Sequence, residues 1–219
     1  MKNTITLNNI SHHFDTTSER IELFKDLSIE VHSGETMAIV GPSGAGKSSL
    51  LSIAAGLEKP AAGKVHFVIE GERVDALDMR ANSGFIFQQF HLMPELDAIG
   101  NLALPLRLKG NRAAFDIAAE WLENVGLKDR ARHKPHQLSG GEQQRIAVAR
   151  AFVTKPKFIF ADEPTGNLDA RTSDGVAALM FDCAKEVGSG LILVTHSNRL
   201  AVRTQKCLRL ERGQLEIAA

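Results

Sequence analysis

Gly41, Gly44, Gly46, Lys47 and Ser48 stand in the spacing G-x-x-x-x-G-K-S, a set of residue types suited to holding a polyphosphate. The glycines let the backbone take positive φ, so that successive N–H groups converge as an anion-binding nest. Lys47 then reaches the β- and γ-phosphates of a nucleoside triphosphate, and the Ser48 hydroxyl binds Mg²⁺. The full loop Gly41-Pro42-Ser43-Gly44-Ala45-Gly46-Lys47-Ser48-Ser49 follows the apolar run Met37–Val40, which reads as a buried strand. It leads into Ser49–Ala55, which reads as a helix whose N-terminus adds unpaired donors. A glycine-rich turn without a ligand is the plainer reading, and the strand-to-helix context argues against it.

A second set lies 115 residues after Lys47, where Asp162-Glu163 closes the apolar run Lys157–Ala161. Taken alone, two carboxylates after a strand read as a solvated turn. Paired with the phosphate loop they complete a Mg·nucleotide site, because Mg²⁺ needs few protein ligands beside phosphates and waters. Asp162 is the expected metal ligand with Ser48. Glu163, pointing elsewhere on an extended segment, is the expected base for the attacking water.

The elements that must position these groups follow from periodicity. Thr4–Ile10 and Leu27–Val31 alternate with period two and predict early antiparallel strands, with a polar turn at Asp15-Thr16-Thr17-Ser18 and Phe14 between them. Phe14 by itself reads as a core aromatic. Further strands are predicted at Lys64–Glu70, Gly84–Phe87 and Gly190–Thr195, with a loop over 75–83 and a closing hairpin of Lys206–Leu210 with Gln214–Ile217 around Arg212-Gly213. From Ile99 to Val125 the apolar spacing becomes helical, with a break at Gly110-Asn111. A helix opens at Leu138-Ser139-Gly140-Gly141-Glu142, capped by Ser139 or Gly140, and another covers 172–187. Alternating strands and helices around the phosphate loop predict an α/β core with a mostly parallel sheet.

Composition narrows the partners. Lys plus Arg and Asp plus Glu each number 26, so no polyanion-binding surface is indicated and nucleic acid is not expected as a partner. No apolar stretch approaches the roughly 20 residues of a membrane span, and Met1–Ile5 does not open a signal peptide, which predicts a cytoplasmic protein. Cys183 and Cys207 follow no metal spacing and read as reduced structural thiols.

The string L-S-G-G-E-Q-Q-R at Leu138–Arg145 resembles the signature of ABC-type ATPases. Its six-residue core would arise by chance roughly once in a hundred thousand such chains. The resemblance spans nearly the whole chain. Phe14 matches the aromatic A-loop position, Gly41–Ser49 the Walker A loop, Gln88 the Q-loop, and Asp162 and Glu163 Walker B with its catalytic glutamate. Asn167-Leu168-Asp169 matches the D-loop and His196 the switch histidine. The resemblance implies a P-loop NTPase (RecA-like) core with an antiparallel β lobe and an inserted helical lobe: one ABC ATPase domain over 1–219, with 1–88 and 157–219 as core and β lobe and 89–156 as helical lobe.

It also implies roles. Phe14 would stack on adenine, Gln88 would contact Mg²⁺ or the attacking water, and His196 would hold the γ-phosphate with Glu163. Alone, Gln88 reads as a solvated amide and His196 as a packed histidine. Asp169 is a dimer contact or a turn aspartate. Ser139, Gly140 and Gly141 would close on the γ-phosphate held by a second copy, so that two chains sandwich two ATP molecules head to tail. The chain looks like the lipoprotein-releasing, macrolide-export and cell-division branch. One departure is that only 20 residues separate Gly63 from Gly84, where that branch commonly carries a longer connection with a short charged helix.

The expected function is ATP binding and hydrolysis for a membrane ABC transporter. Separate integral membrane permease subunits would hold the chain on the inner face of the cell membrane and carry out export or lipid extraction. The alternatives are an ATP-gated regulator of a membrane protein, as in cell division, and a DNA-repair or ribosome-acting ATPase. The last would want a coiled-coil insertion or two cassettes in one chain.

Overall fold

The computed structural model describes residues 3–15 and 19–218. Thr16, Thr17 and Ser18 of the expected first turn lie outside them. In chain order the strands are β1 (Thr4–Asp15), β2 (Arg20–His32), β3 (Thr36–Val40), β4 (Ala62–Ile69), β5 (Glu72–Val74), β6 (Ser83–Phe87), β7 (Phe158–Asp162), β8 (Gly190–Val194), β9 (Lys206–Glu211) and β10 (Gln214–Ile217). The helices are α1 (Lys47–Ala54), α2 (Ala76–Ala81), α3 (Ala98–Leu108), α4 (Ala114–Asn124), α5 (Gly140–Phe152), α6 (Ala170–Val187) and α7 (Asn198–Ala201).

One sheet has the order β10-β9-β3-β8-β7-β6, with every pairing parallel except the closing hairpin β9–β10. The other, of order β2-β1-β4-β5, is antiparallel throughout. The parallel strands read as unbroken apolar runs because both faces are covered. Along β7, Phe158 and Phe160 point into one core and Ile159 and Ala161 into another, and along β8 Ile192 and Val194 alternate likewise with Leu191 and Leu193. The first core also takes Ile5, Leu7 and Phe24 from the antiparallel sheet and Leu50 and Ile53 from α1. The second takes Val148 and Phe152 from α5 and Met180 from α6. Each large apolar side chain so buried contributes about 1.5–3 kcal/mol. A third core joins Leu102 and Leu106 of α3, Ala118 and Leu122 of α4, and Ile146 of α5.

Two expectations are corrected. Residues 75–83 are not a loop. Asp75 accepts from the N–H groups of Leu77 and Asp78 and caps α2, so the shortened connection between Gly63 and Gly84 holds a six-residue helix after all. Phe14 is not a core aromatic lying between strands. It belongs to β1, opposite Ile21 of β2, and its side chain is 47% exposed.

Candidate active site

The phosphate-loop residues sit where β3, central in the parallel sheet, turns into α1. Gly44 and Gly46 take φ of 80° and 90°, the left-handed region that glycine enters at little cost. A Cβ at Gly41 would run into the Leu210 carbonyl oxygen of β9, so the loop must begin with glycine for a packing reason as well. Helix α1 starts from Gly46 with no side-chain cap and no acidic residue in its first turn. By contrast, α2, α5 and α6 are capped by Asp75, Ser139 and Asp169. The free N–H groups and positive end of α1 therefore face the loop without an internal anion to satisfy them.

Lys47 is buried at 6% exposure. Its Nζ donates to the carbonyls of Gly41 (3.0 Å) and Pro42 (2.8 Å) and lies 3.4 Å from His196 Nε2. Burial pushes its pKa below the ordinary lysine value, and the carboxylates of Glu163 and Asp162 oppose that shift. Asp162 ends β7, and Glu163 follows it in the left-handed region at φ 45°. The expectation of an extended Glu163 is thus corrected: a backbone turn, not strand alternation, separates the two carboxylates. That turn aims Glu163 at His196, whose backbone N–H donates to Oε2 at 3.2 Å and whose Nε2 is 3.3 Å from Oε1.

Phe14, Ser43, Gly44, Gly46, Lys47, Ser48, Ser49, Asp162, Glu163 and His196 line one cavity of about 320 Å³. A buried cation, a hydroxyl, two carboxylates, a histidine and an aromatic rim thus converge from segments up to 182 residues apart. Oxygen donors at Ser48 and Asp162 suit a hard cation. Among the described residues no cluster of three or more His, Cys, Asp or Glu could hold a metal unaided. A larger recess of about 700 Å³, lined by Leu57, Lys59, Lys64, Phe67 and Arg73, contains none of the expected site residues. Chemistry, not volume, distinguishes the smaller one.

Gln88 is not brought into the cavity. Its amide nitrogen donates to Asn167 Oδ1 at 2.8 Å, and Asn167 Nδ2 donates back to the Gln88 carbonyl at 3.1 Å. Ser139, Gly140 and Gly141 also lie away from it, at the start of α5, where a Cβ on Gly141 would strike the Thr172 side chain of α6. Asp169 caps α6 by accepting from Arg171 and Thr172 N–H groups, both at 3.1 Å.

Several residues escaped the sequence reading. Leu23 and Val194 line the cavity. Gln144, fully buried in α5, donates from one amide to the carbonyls of Pro164 and Phe87 and so ties α5 to the segments that carry Glu163 and Gln88. Arg150 donates to the carbonyls of Phe90 (2.9 Å) and His91 (2.7 Å), both residues at positive φ. The signal for Gln144 was its place on the apolar face of a predicted helix, where an amide needs partners.

The family model "ABC transporter" matches residues 24–166. The lipoprotein-releasing system ATP-binding protein LolD of Francisella tularensis subsp. tularensis (strain FSC 198) is 42% identical, covering 97% of this chain and 96% of the relative. The uncharacterized ABC transporter ATP-binding protein YbbA of Escherichia coli (strain K12) is also 42% identical, covering 98% and 97%. Among solved structures, the dimeric post-hydrolysis state of the ATP-binding cassette MJ0796 bound to ADP and Pi superposes with a TM-score of 0.84 at 34% identity, covering 97% of this chain and 98% of that one. A family model matching residues 24–166 and relatives 42% identical over nearly the whole chain leave one conclusion: the chain belongs to the ABC transporter ATP-binding domain family.

Proposed function

We propose that the chain is the ATP-hydrolysing subunit of a membrane ABC transporter, working as a head-to-tail homodimer beneath separate integral membrane permease subunits. The observation that carries this reading is the meeting of Lys47, Ser48, Asp162, Glu163 and His196 around one cavity. Similarity to lipoprotein-releasing relatives supports lipoprotein or lipid extraction as the work done. Among the described residues no helix is long and apolar enough to cross a membrane. Attachment to the inner face of the membrane is therefore assigned to the permease partners.

Each site residue has a role that its surroundings allow. Phe14 presents an exposed ring for stacking on adenine. The backbone of Gly41, Pro42, Ser43, Gly44, Ala45, Gly46 and Ser49, with the uncapped start of α1, cradles the phosphates. Lys47 leaves its own loop's carbonyls for the β- and γ-phosphate oxygens. Ser48 and Asp162 would hold Mg²⁺, which when bound neutralises charge on the phosphates and orients them. Glu163 takes a proton from the attacking water, and His196, already in contact with Glu163, supports the charge that develops on the γ-phosphate. Gln88 would contact Mg²⁺ or the attacking water once its amide parts from Asn167. Ser139, Gly140 and Gly141 of the second copy close the site.

The same reading gives the domain plan. Residues 1–219 form one ABC ATPase domain with a helical lobe over 89–156, and this lobe carries α5 to the partner's nucleotide. Phosphate release from Mg-ATP by the purified chain, with and without Glu163→Gln, tests the assignment. Loss of release with retained ATP binding supports it, and undiminished release refutes it.

A further inference from the structure

His12 is a buried titratable group without a part in the chemistry above. It stands two residues before Phe14 on the same face of β1, opposite Phe24 of β2. It is buried at 7% exposure, while Phe14 beside it is half exposed. Its ring stacks on Phe24, with centroids 5.9 Å apart and planes at 30°. It also meets Phe14 edge to face, with centroids 5.5 Å apart and planes at 79°. Its Nε2 lies 2.9 Å from Glu58 Oε1. That approach lacks hydrogen-bond alignment, and neither ring nitrogen has an aligned partner among the described residues.

A buried imidazole without aligned partners weakens a fold, and phenylalanine would fill the same space against Phe24 without that penalty. What the imidazole adds is a contact to Glu58, in the loop that follows α1. The far end of the phosphate-loop helix is thereby joined to the aromatic ring at the cavity rim. Phe14 needs such a support. Its strand ends one residue later at Asp15, and a half-exposed ring gains little orientation from solvent. An edge-to-face neighbour fixes ring tilt in a way an aliphatic neighbour does not.

We propose that His12 is a positioning residue for the base-stacking ring: packed on Phe24 and in contact with Glu58, it sets the tilt of Phe14 and thereby the affinity for the nucleotide's base. The proposal rests on the reading of Phe14 as the adenine platform. It makes the His12–Glu58 contact a determinant of affinity for the base, with no effect on the phosphate chemistry.

The test uses the full chain, with binding of ATP and inorganic tripolyphosphate measured by calorimetry and ATP turnover measured alongside. Glu58→Gln and His12→Phe both keep the local volume. Each alters the contact to Glu58 while leaving an aromatic ring at position 12, and is expected to weaken ATP about three- to tenfold, up to the worth of one oriented aromatic contact. Tripolyphosphate affinity and kcat should stay unchanged, so that only KM moves. In a Phe14→Ala background neither substitution should lower ATP affinity further. Equal losses for ATP and tripolyphosphate, or undiminished losses without Phe14, overturn the proposal, as does unchanged ATP affinity in both variants. Should Phe14→Ala alone leave ATP affinity intact, the adenine-platform reading itself falls. Should it weaken ATP while the His12 and Glu58 variants do not, only the present inference falls.

Discussion

Glu163 is held in a backbone conformation that few L residues adopt, at φ 45°, with both carboxylate oxygens turned to His196. Such strain persists where the surroundings over-determine it, and it concentrates at functional sites. Replacing the carboxylate by an amide keeps the shape and removes the base. Glu163→Gln should keep ATP affinity within about twofold and lower turnover by about 10²–10⁴, the usual range for a general base; phosphate-release kinetics beside equilibrium binding checks both halves. Lys47 donates two hydrogen bonds within its own loop, and its charge is the one buried cation lining the cavity among the described residues. Lys47→Ala should weaken ATP by about 10- to 100-fold, the worth of one or two charge-assisted bonds, and a titration showing retained affinity would count against the loop assignment.

These residues were legible because their meaning is local: G-x-x-x-x-G-K-S and the Asp-Glu pair announce themselves within a few positions. What was not legible depends on contacts far apart in the chain. The hold of Asn167 on Gln88 spans 79 residues. The exposure of Phe14 follows from its place near the end of β1, which periodicity left undetermined.

At the scale of elements, the phosphate-loop helix and the signature helix begin differently. Helix α1 begins uncapped, whereas α5 begins with a full capping box, in which Ser139 Oγ accepts from Glu142 N–H and the Glu142 carboxylate accepts from Ser139 N–H and Oγ. The Arg130 guanidinium donates to the other Glu142 oxygen at 2.9 Å. Together Arg130 and Ser139 lower the Glu142 pKa from 4.5 to about 2. Since the folded pKa lies below the unfolded one, the stabilisation from Glu142 is fully present at neutral pH and is lost as pH falls from about 4.5 towards 2. Glu142→Gln should therefore lower stability at pH 7 and show a shallower loss of stability over that window; urea midpoints at pH 7, 4 and 3 would measure it.

Within α5, Gln144→Leu would leave the Pro164 and Phe87 carbonyls without their donor and should cost about 1–3 kcal/mol in urea unfolding. Element types were readable where apolar runs were long, as in β7 and β8. Helix α2 was not, because six residues with one buried side chain, Met79, carry too little periodicity; its signal was the cap, Asp75.

The whole molecule joins three apolar cores, and α5 takes part in two of them. Its side chains pack on the sheet that carries Asp162 as well as on α3 and α4. The thiol of Cys183 sits in the core beside α5, where burial pushes its pKa up to about 11. It should resist maleimide at pH 7 in the folded chain and react once urea unfolds it; rapid native labelling would show that this core opens. The signature residues do not line the chain's own cavity, so in the proposed function they reach nucleotide only when two copies share it. The most direct measurement is sedimentation velocity of the Glu163→Gln chain with and without Mg-ATP. A monomer near 24 kDa is expected without nucleotide, and a species of twice that mass in saturating Mg-ATP. A chain that binds ATP and stays monomeric would contradict the proposed dimer.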